Sequence, residues 1–361
     1  MSVFGEPEVR TLSPALVVGS GLIGASVGMA LTAQGVEVHL EDADAQQAAV
    51  AMAMGAGVTE PVAAAAVRLV VVATPPEALA ETIAACLDTY ANATVTDVGS
   101  VKGTILATLS RREHDMTRYV GSHPMAGGEL SGPEHAKADL FTDKTWVITP
   151  HDTSNAHAVL DVRRLIELCG GRAVSLGAAH HDEAVAQVSH LPQLVSSLLA
   201  GLLTGVPKEH LRLAGQGLRD VTRIANSDPS LWRQIITANS AAVLSQLQEL
   251  QRHLQWLLDR FDDPAAIEGF LAEGRAGRQA LPGKHGAAAR EFAVVTVEIP
   301  DAPGSLARIF ATVEAAQVNI EDIAIDHDQN REVGFLEVSV DPAKAEELTA
   351  TLRAAGWTVK E

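Results

Sequence analysis

The chain has 361 residues, 47% of them hydrophobic, and a formal net charge of −18 at pH 7. That length and apolar content provide for two or three domains with real cores, while the acidic balance excludes nucleic acid and anionic membrane as partners, because no basic field attracts phosphates. No charged-then-apolar leader opens the sequence, and no run reaches the roughly 18 uncharged apolar residues of a spanning helix. A soluble, cytoplasmic chain is expected, with Cys86 and Cys169 as buried thiols.

The first half alternates. "PALVVG" (14–19) predicts a buried strand, 22–34 a helix, "VEVHLE" (36–41) a strand and 44–54 a helix ending at Gly55. "RLVVVAT" (68–74) predicts a third buried strand before a helix that Pro75 and Pro76 start. "ATVTDVGS" (93–100), "YVGSH" (119–123), "TWVITP" (145–150) and "RAVSLG" (172–177) extend the series. Strands apolar throughout, separated by helix-length segments, predict a parallel sheet covered on both faces. From His180 to about Phe270 apolar residues recur at helical spacing and no strand is expected. "GRAGRQALPGKHGAAAR" (274–290) reads as a linker. Beyond it the order β-α-β-β-α-β matches a ferredoxin-like module. The expected domains are 1–178, dinucleotide-binding; 179–280, helical; 281–291, linker; and 292–361, ferredoxin-like.

Gly19-Ser20-Gly21-Leu22-Ile23-Gly24 follows the first strand and opens the first helix, the context in which G-x-G-x-x-G signals a dinucleotide site. Gly19 permits the tight turn, Gly21 lets the backbone approach a pyrophosphate, and Gly24 allows close packing; the helix start offers N–H groups to phosphates. An acid at the end of the second strand accepts ribose hydroxyls and repels a 2′-phosphate, so NAD is preferred over NADP; Asp42 is the better position and Glu41 the alternative. The third and fourth strands end in "ATPP" and "DVGSVKG", which bring Thr74, Ser100 and Lys102 to the carboxyl rim of the sheet. Helix capping and surface charge are the bland reading of Asp97, Ser100 and Lys102. "GSHPMAGGELSG" (121–132) brings His123 to the same rim. The spacing of His180, His181 and His190 fits no metal pattern, and no metal site is expected. Asp220 and Arg223, three apart, share a helix face, in isolation a surface salt bridge; the apolar residues Leu218, Val221 and Ile224 around them suggest a face turned toward protein, with Arg223 paired with or aimed at an anion. These parts permit hydride transfer from a small carboxylated alcohol to NAD, with His123 as proton acceptor.

In their order and spacing, "VVGSGLIGAS", "VVATPP", "DVGSVKG", "GSHPMAGGELSG", "HD…SHLPQ" and "RDVTRIANSDPSLW" resemble the prephenate/arogenate dehydrogenase family over roughly residues 14–275. "DAPGSLARIF…VNIEDIAI" resembles an ACT regulatory module over 292–361. The resemblance implies a Rossmann-type doubly wound sheet, an all-helical dimerisation domain and a C-terminal ACT domain. It implies NAD-dependent oxidative decarboxylation of prephenate to 4-hydroxyphenylpyruvate in tyrosine biosynthesis, with arogenate as the alternative substrate. By the family's motifs, His123 would take the hydroxyl proton and Ser100 would orient both the histidine and the hydroxyl. Arg223 would bind a substrate carboxylate, Asp220 would hold Arg223, and His190, Glu129 and Ser131 would complete the pocket. Gly19, Ser20, Gly21, Leu22, Ile23, Gly24, Asp42, Thr74 and Ser100 would face the cofactor. A homodimer is implied, with tyrosine as a feedback effector near Gly304 and Asn319. A β-hydroxyacid dehydrogenase would share the nucleotide domain but is expected to use a lysine of the helical region, and none lies between Lys144 and Lys208.

Overall fold

Seven short strands form the sheet of the N-terminal half: β1 (Ala15–Val18), β2 (Val38–Glu41), β3 (Leu69–Val72), β4 (Thr94–Asp97), β5 (Tyr119–Pro124), β6 (Thr145–Thr149) and β7 (Arg172–Ser175). They lie in the order β2-β1-β3-β4-β5-β6-β7. The chain winds outward in both directions from β1, so a crevice opens between the connections that leave β1 and β3, at the carboxyl ends of the strands. This computed structural model describes residues 12–111, 114–127, 131–281, 292–300, 302–327 and 333–360. The chain divides into two compact units, Met1–Trp256 and Leu257–Glu361.

Helices α1 (Leu22–Ala33), α2 (Ala45–Ala53), α3 (Pro76–Thr89), α4 (Gly103–Leu109) and α5 (Ala156–Leu168) cover the sheet. Successive strand residues point to opposite faces, so Leu16 joins a core with Val70, Ile83, Leu87 and Leu109, while Val17 joins one with Leu31, Phe141, Trp146 and Val162. Every strand pairing is parallel except β5 with β6. This departs from the expected all-parallel sheet. Among the described residues between β5 and β6, the connection carries only a short 3-10 turn at Pro133–His135. Without a crossover helix, β6 returns beside β5 in the opposite direction. The edge strand β7 is also less buried than its sequence suggests.

The helical region begins with α6 (Ala178–Val185), which passes through a π turn at Ala186–His190 into α7 (Leu191–Leu202). It continues with α8 (Lys208–Leu211), α9 (Gln216–Thr222), a 3-10 turn at Arg223–Asn226, α10 (Pro229–Ala238) and α11 (Ser240–Leu258). Asp228 caps α10 by accepting the N–H groups of Ser230 and Leu231, and Pro229 fills the first helical position, where no N–H is needed. Several large apolar side chains of this region stand in water: Leu198 is 64% exposed, Leu202 66% and Leu213 84%.

In the second unit α12 (Pro264–Gln279) runs into the stretch expected to be a linker. Arg275, Ala276 and Arg278 are good helix formers and carry Gly274 and Gly277 along; residues 282–291 lie outside the described set. The module that follows contains β8 (Ala293–Pro300), α13 (Ser305–Ala315), β9 (Asp322–His327), β10 (Val333–Val340), α14 (Pro342–Ala354) and β11 (Thr358–Val359). Its antiparallel sheet has the order β11-β8-β10-β9, the ferredoxin-like arrangement. Val295, Val297, Leu336 and Val338 of the sheet pack with Ile309, Val313, Leu348 and Leu352 of the helices.

Candidate active site

The loop after β1 shows why its glycines are glycines. Gly19 has φ of 100°, in the left-handed region. A side chain there would strike the Ala73 carbonyl, and one on Gly24 would strike the Gly19 carbonyl. A Cβ on Gly21 would meet nothing within 4 Å, so the space over it is clear. Helix α1 starts at Leu22 and Ile23 with no side-chain cap, leaving its first N–H groups open. The buried hydroxyls of Ser20 and Thr74 have no hydrogen-bond partner. Asp42 reaches into this loop: one carboxylate oxygen accepts the Ser20 N–H at 2.6 Å and the other the Asp44 N–H at 2.9 Å. Glu41 instead accepts the Tyr90 hydroxyl at 3.3 Å. Free helix N–H groups, unpartnered hydroxyls and clearance over Gly21 fit a dinucleotide, and Asp42 rather than Glu41 is the carboxylate that reaches this loop.

His123 lies near the carboxyl end of β5, partly buried. Its Nδ1 is 2.9 Å from Nε2 of His181, and His181 Nδ1 is 2.8 Å from Oδ1 of Asp182. The two rings meet edge to face. His181 is fully buried in α6. Asp182 also accepts the N–H groups of Lys102 at 2.8 Å and Gly103 at 2.7 Å, so it caps α4 from the helical region. Burial holds the His123 pKa well below the ordinary histidine value, and Lys102, His181 and His190 add to the effect. His123 is therefore neutral at pH 7.

Below this ring lies a buried ion pair. Lys102 Nζ donates to Asp97 and, at 2.7 Å, to the Ser122 carbonyl. Asp97 also accepts from the Tyr119 hydroxyl at 2.7 Å and the Gly99 N–H at 2.8 Å. Desolvation lowers the Lys102 pKa, opposed by Asp97 and Asp182, and burial beside Asp97 raises that of Tyr119. The surface-charge reading of Asp97 and Lys102 is thus corrected, since both are buried. His190, also buried, places Nδ1 3.2 Å from the Asn239 amide and its ring edge against Trp232. Burial lowers its pKa to about 4. Asn239 further donates to the Asp182 carbonyl at 2.8 Å.

The remaining predicted residues are more open. Ser100 is half-buried on the rim, but Nδ1 of His123 is held by His181, which the sequence reading considered only as a metal ligand. Arg223 begins the 3-10 turn after α9 with its side chain exposed. The carboxylate of Asp220 accepts from Gln216 Nε2 at 2.7 Å. Of the apolar residues expected to turn toward protein, Leu218 and Ile224 are half-buried and Val221 is 53% exposed. Ser131 is exposed, and Glu129 lies outside the described residues. In the second unit Gly304 has φ of 86° and precedes α13, and the exposed Asn319 donates to Glu321 at 2.7 Å. His181, Asp182 and Asn239 were not anticipated; the one local signal was a His-Asp pair at the start of a helix.

Residues 27–175 match the family described as "Prephenate dehydrogenase, nucleotide-binding domain", 177–265 "Prephenate dehydrogenase, dimerization domain" and 293–356 "ACT domain". "Probable prephenate dehydrogenase NovF" of Streptomyces niveus is 33% identical over 95% of this chain and 98% of its own length. A prephenate dehydrogenase of Bacillus subtilis is 28% identical, covering 90% of this chain and 91% of its own. The solved prephenate dehydrogenase of A. aeolicus, in complex with hydroxyphenyl propionate and NAD+, superposes with a TM-score of 0.66 at 29% identity, covering 73% of this chain and 96% of that one. A Synechocystis arogenate dehydrogenase gives 0.63 at 26%, covering 73% and 98%.

Proposed function

The chain belongs to the prephenate dehydrogenase family, and we propose that its rim residues divide the NAD-dependent oxidative decarboxylation of prephenate among them. The loop from Gly19 to Gly24 and the start of α1 hold the pyrophosphate, Asp42 the ribose hydroxyls, and Ser20 and Thr74 supply further polar contacts. NAD, when bound, is the hydride acceptor. As hydride leaves the ring carbon that bears the 4-hydroxyl, His123 takes the hydroxyl proton. The ring carboxylate departs as carbon dioxide, its bonding pair closes the aromatic ring, and His123 returns the proton to the phenolate oxygen. Aromatisation supplies much of the driving force, so the protein mainly positions groups and moves one proton. Ser100 bonds the 4-hydroxyl, Arg223 binds a substrate carboxylate, and His190, Glu129, Ser131 and Asp220 complete or support the pocket. The observation that carries this reading is a neutral, hydrogen-bonded His123 on the same sheet rim as a dinucleotide cradle.

The exposed leucines of the helical region support a homodimer. We assign tyrosine as the effector of the ACT domain, with Gly304 and Asn319 shaping its site. The domains of the reading are 1–178, 179–280 and 292–361, joined by 281–291. Buried free thiols at Cys86 and Cys169 fit a reducing cytoplasm, and among the described residues no helix is long and apolar enough to cross a membrane. The similarity to an arogenate dehydrogenase keeps that substrate as the second reading. Initial rates with prephenate and arogenate, each with NAD and NADP, test both. The fastest turnover is expected for prephenate with NAD. A large preference for arogenate overturns the substrate, and one for NADP overturns the role of Asp42. Tyrosine is expected to inhibit the full chain and to lose its effect when 292–361 is removed.

A further inference from the structure

We infer that His181 and Asp182 form a positioning relay that fixes which nitrogen of His123 acts as the base. The inference rests on the proton-acceptor reading of His123. Asp182 accepts two backbone N–H groups, those of Lys102 and Gly103. A carboxylate engaged in this way offers only lone pairs, so the 2.8 Å contact with His181 places a proton on His181 Nδ1. In the proposed relay that is the ring's single proton, so Nε2 of His181 is the acceptor. Its 2.9 Å contact with His123 Nδ1 requires that His123 carry its own proton there. One tautomer is left: Nδ1 of His123 donates inward, and Nε2 presents its lone pair to the substrate hydroxyl.

The same chain serves after the proton has moved. Protonated His123 keeps its Nδ1–H on His181, whose Nδ1–H stays on Asp182, so a buried positive charge is tied to a carboxylate two bonds away. The other groups around the ring are cationic or neutral: Lys102, already paired with Asp97, and His190, bonded to Asn239. Asp182 is thus the acid that faces this relay, and it belongs to the helical region while capping a helix of the nucleotide domain. Docking of the helical region onto α4 and selection of the catalytic tautomer are the same set of hydrogen bonds.

Long-range proton–nitrogen spectra of the full chain labelled with 15N-histidine test this directly, with His123→Asn and His181→Gln assigning the two rings. Both rings are expected to carry the proton on Nδ1 and a bare Nε2. A proton on Nε2 of His123 overturns the relay. Kinetics give an independent arm. His181→Phe should lower kcat about 100-fold with NAD binding retained, and His181→Gln, whose carbonyl can accept the His123 Nδ1–H, should restore most of it. Normal turnover in His181→Phe, or equal damage in His181→Gln, overturns the relay. Should His181→Phe fail to fold, the tautomer measurement on the unaltered chain decides alone. Turnover retained in His123→Asn rejects the base itself; turnover lost there, with the wrong tautomer in the parent, rejects only the relay.

Discussion

Around His123 the side chains of Asp97, Lys102, Ser122, His181 and Asp182 all have partners within the same chain. Beyond His190 the helical region leaves Leu198, Leu202 and Leu213 in water and Arg223 on the surface. The proposed proton acceptor is therefore held by contacts within one chain. The side assigned to substrate anchoring is left open in a single copy, as expected for a region that a second copy covers.

Four measurements sharpen or break this contrast. His123→Asn carries the largest expected effect: kcat falls about 100- to 10,000-fold while NAD affinity, read by fluorescence titration, stays near normal. Comparable loss of NAD binding would show that His123 shapes the cradle instead. Lys102→Met leaves Asp97 buried without its cation and should cost about 3–5 kcal/mol of stability, seen as a lower urea midpoint; a surface-like cost below about 1 kcal/mol would mean that the pair relaxes into water. Arg223→Ala should act on binding, with a KM for prephenate raised about 10- to 100-fold, the worth of a charge-assisted hydrogen bond. An unchanged KM would move the anchor elsewhere.

The fourth measurement concerns pH dependence. Burial lowers the pKa values of His123 and His190, the latter to about 4. The unfolded chain takes up these protons near 6.5 while the folded chain does not. Stability contributed by keeping them neutral is complete above about pH 6.5 and is lost as pH falls toward 4, at up to about 1.4 kcal/mol per pH unit for each histidine. Urea midpoints measured between pH 7 and pH 4 give the slope, and His190→Gln should flatten it. The acid limb of kcat should also fall below the ordinary histidine value, because His123 must be neutral to accept a proton.

The cofactor cradle was legible in the sequence because its physics is local. Gly19, Gly21 and Gly24 act within one turn, and Asp42 sits at the end of the next strand. His123 was legible as a residue at a strand's carboxyl end. Its partners were not, since 58 residues separate His123 from His181 and 80 separate Lys102 from Asp182. Hydrogen bonds across such distances leave no period in the sequence. Strand direction was also hidden: an apolar run such as Trp146–Ile148 reads the same either way, and only the missing crossover helix sets β6 against its neighbour. The run from Gly274 to Gln279 has the glycines of a linker, yet it is helical because the alanine and arginines around them favour a helix.

The π turn at Ala186–His190 has a geometric consequence. His181 and His190 are nine positions apart, about two and a half turns of a regular helix, which would point them to opposite sides. One turn closed i→i+5 takes up an additional residue. It works as a phase offset in an otherwise continuous rod, and it brings His190 to the same Asn239 amide that bonds the Asp182 carbonyl beside His181. One helical run thus ties both imidazoles into a single hydrogen-bonded cluster, through a single residue wound in where the regular repeat has no place for it.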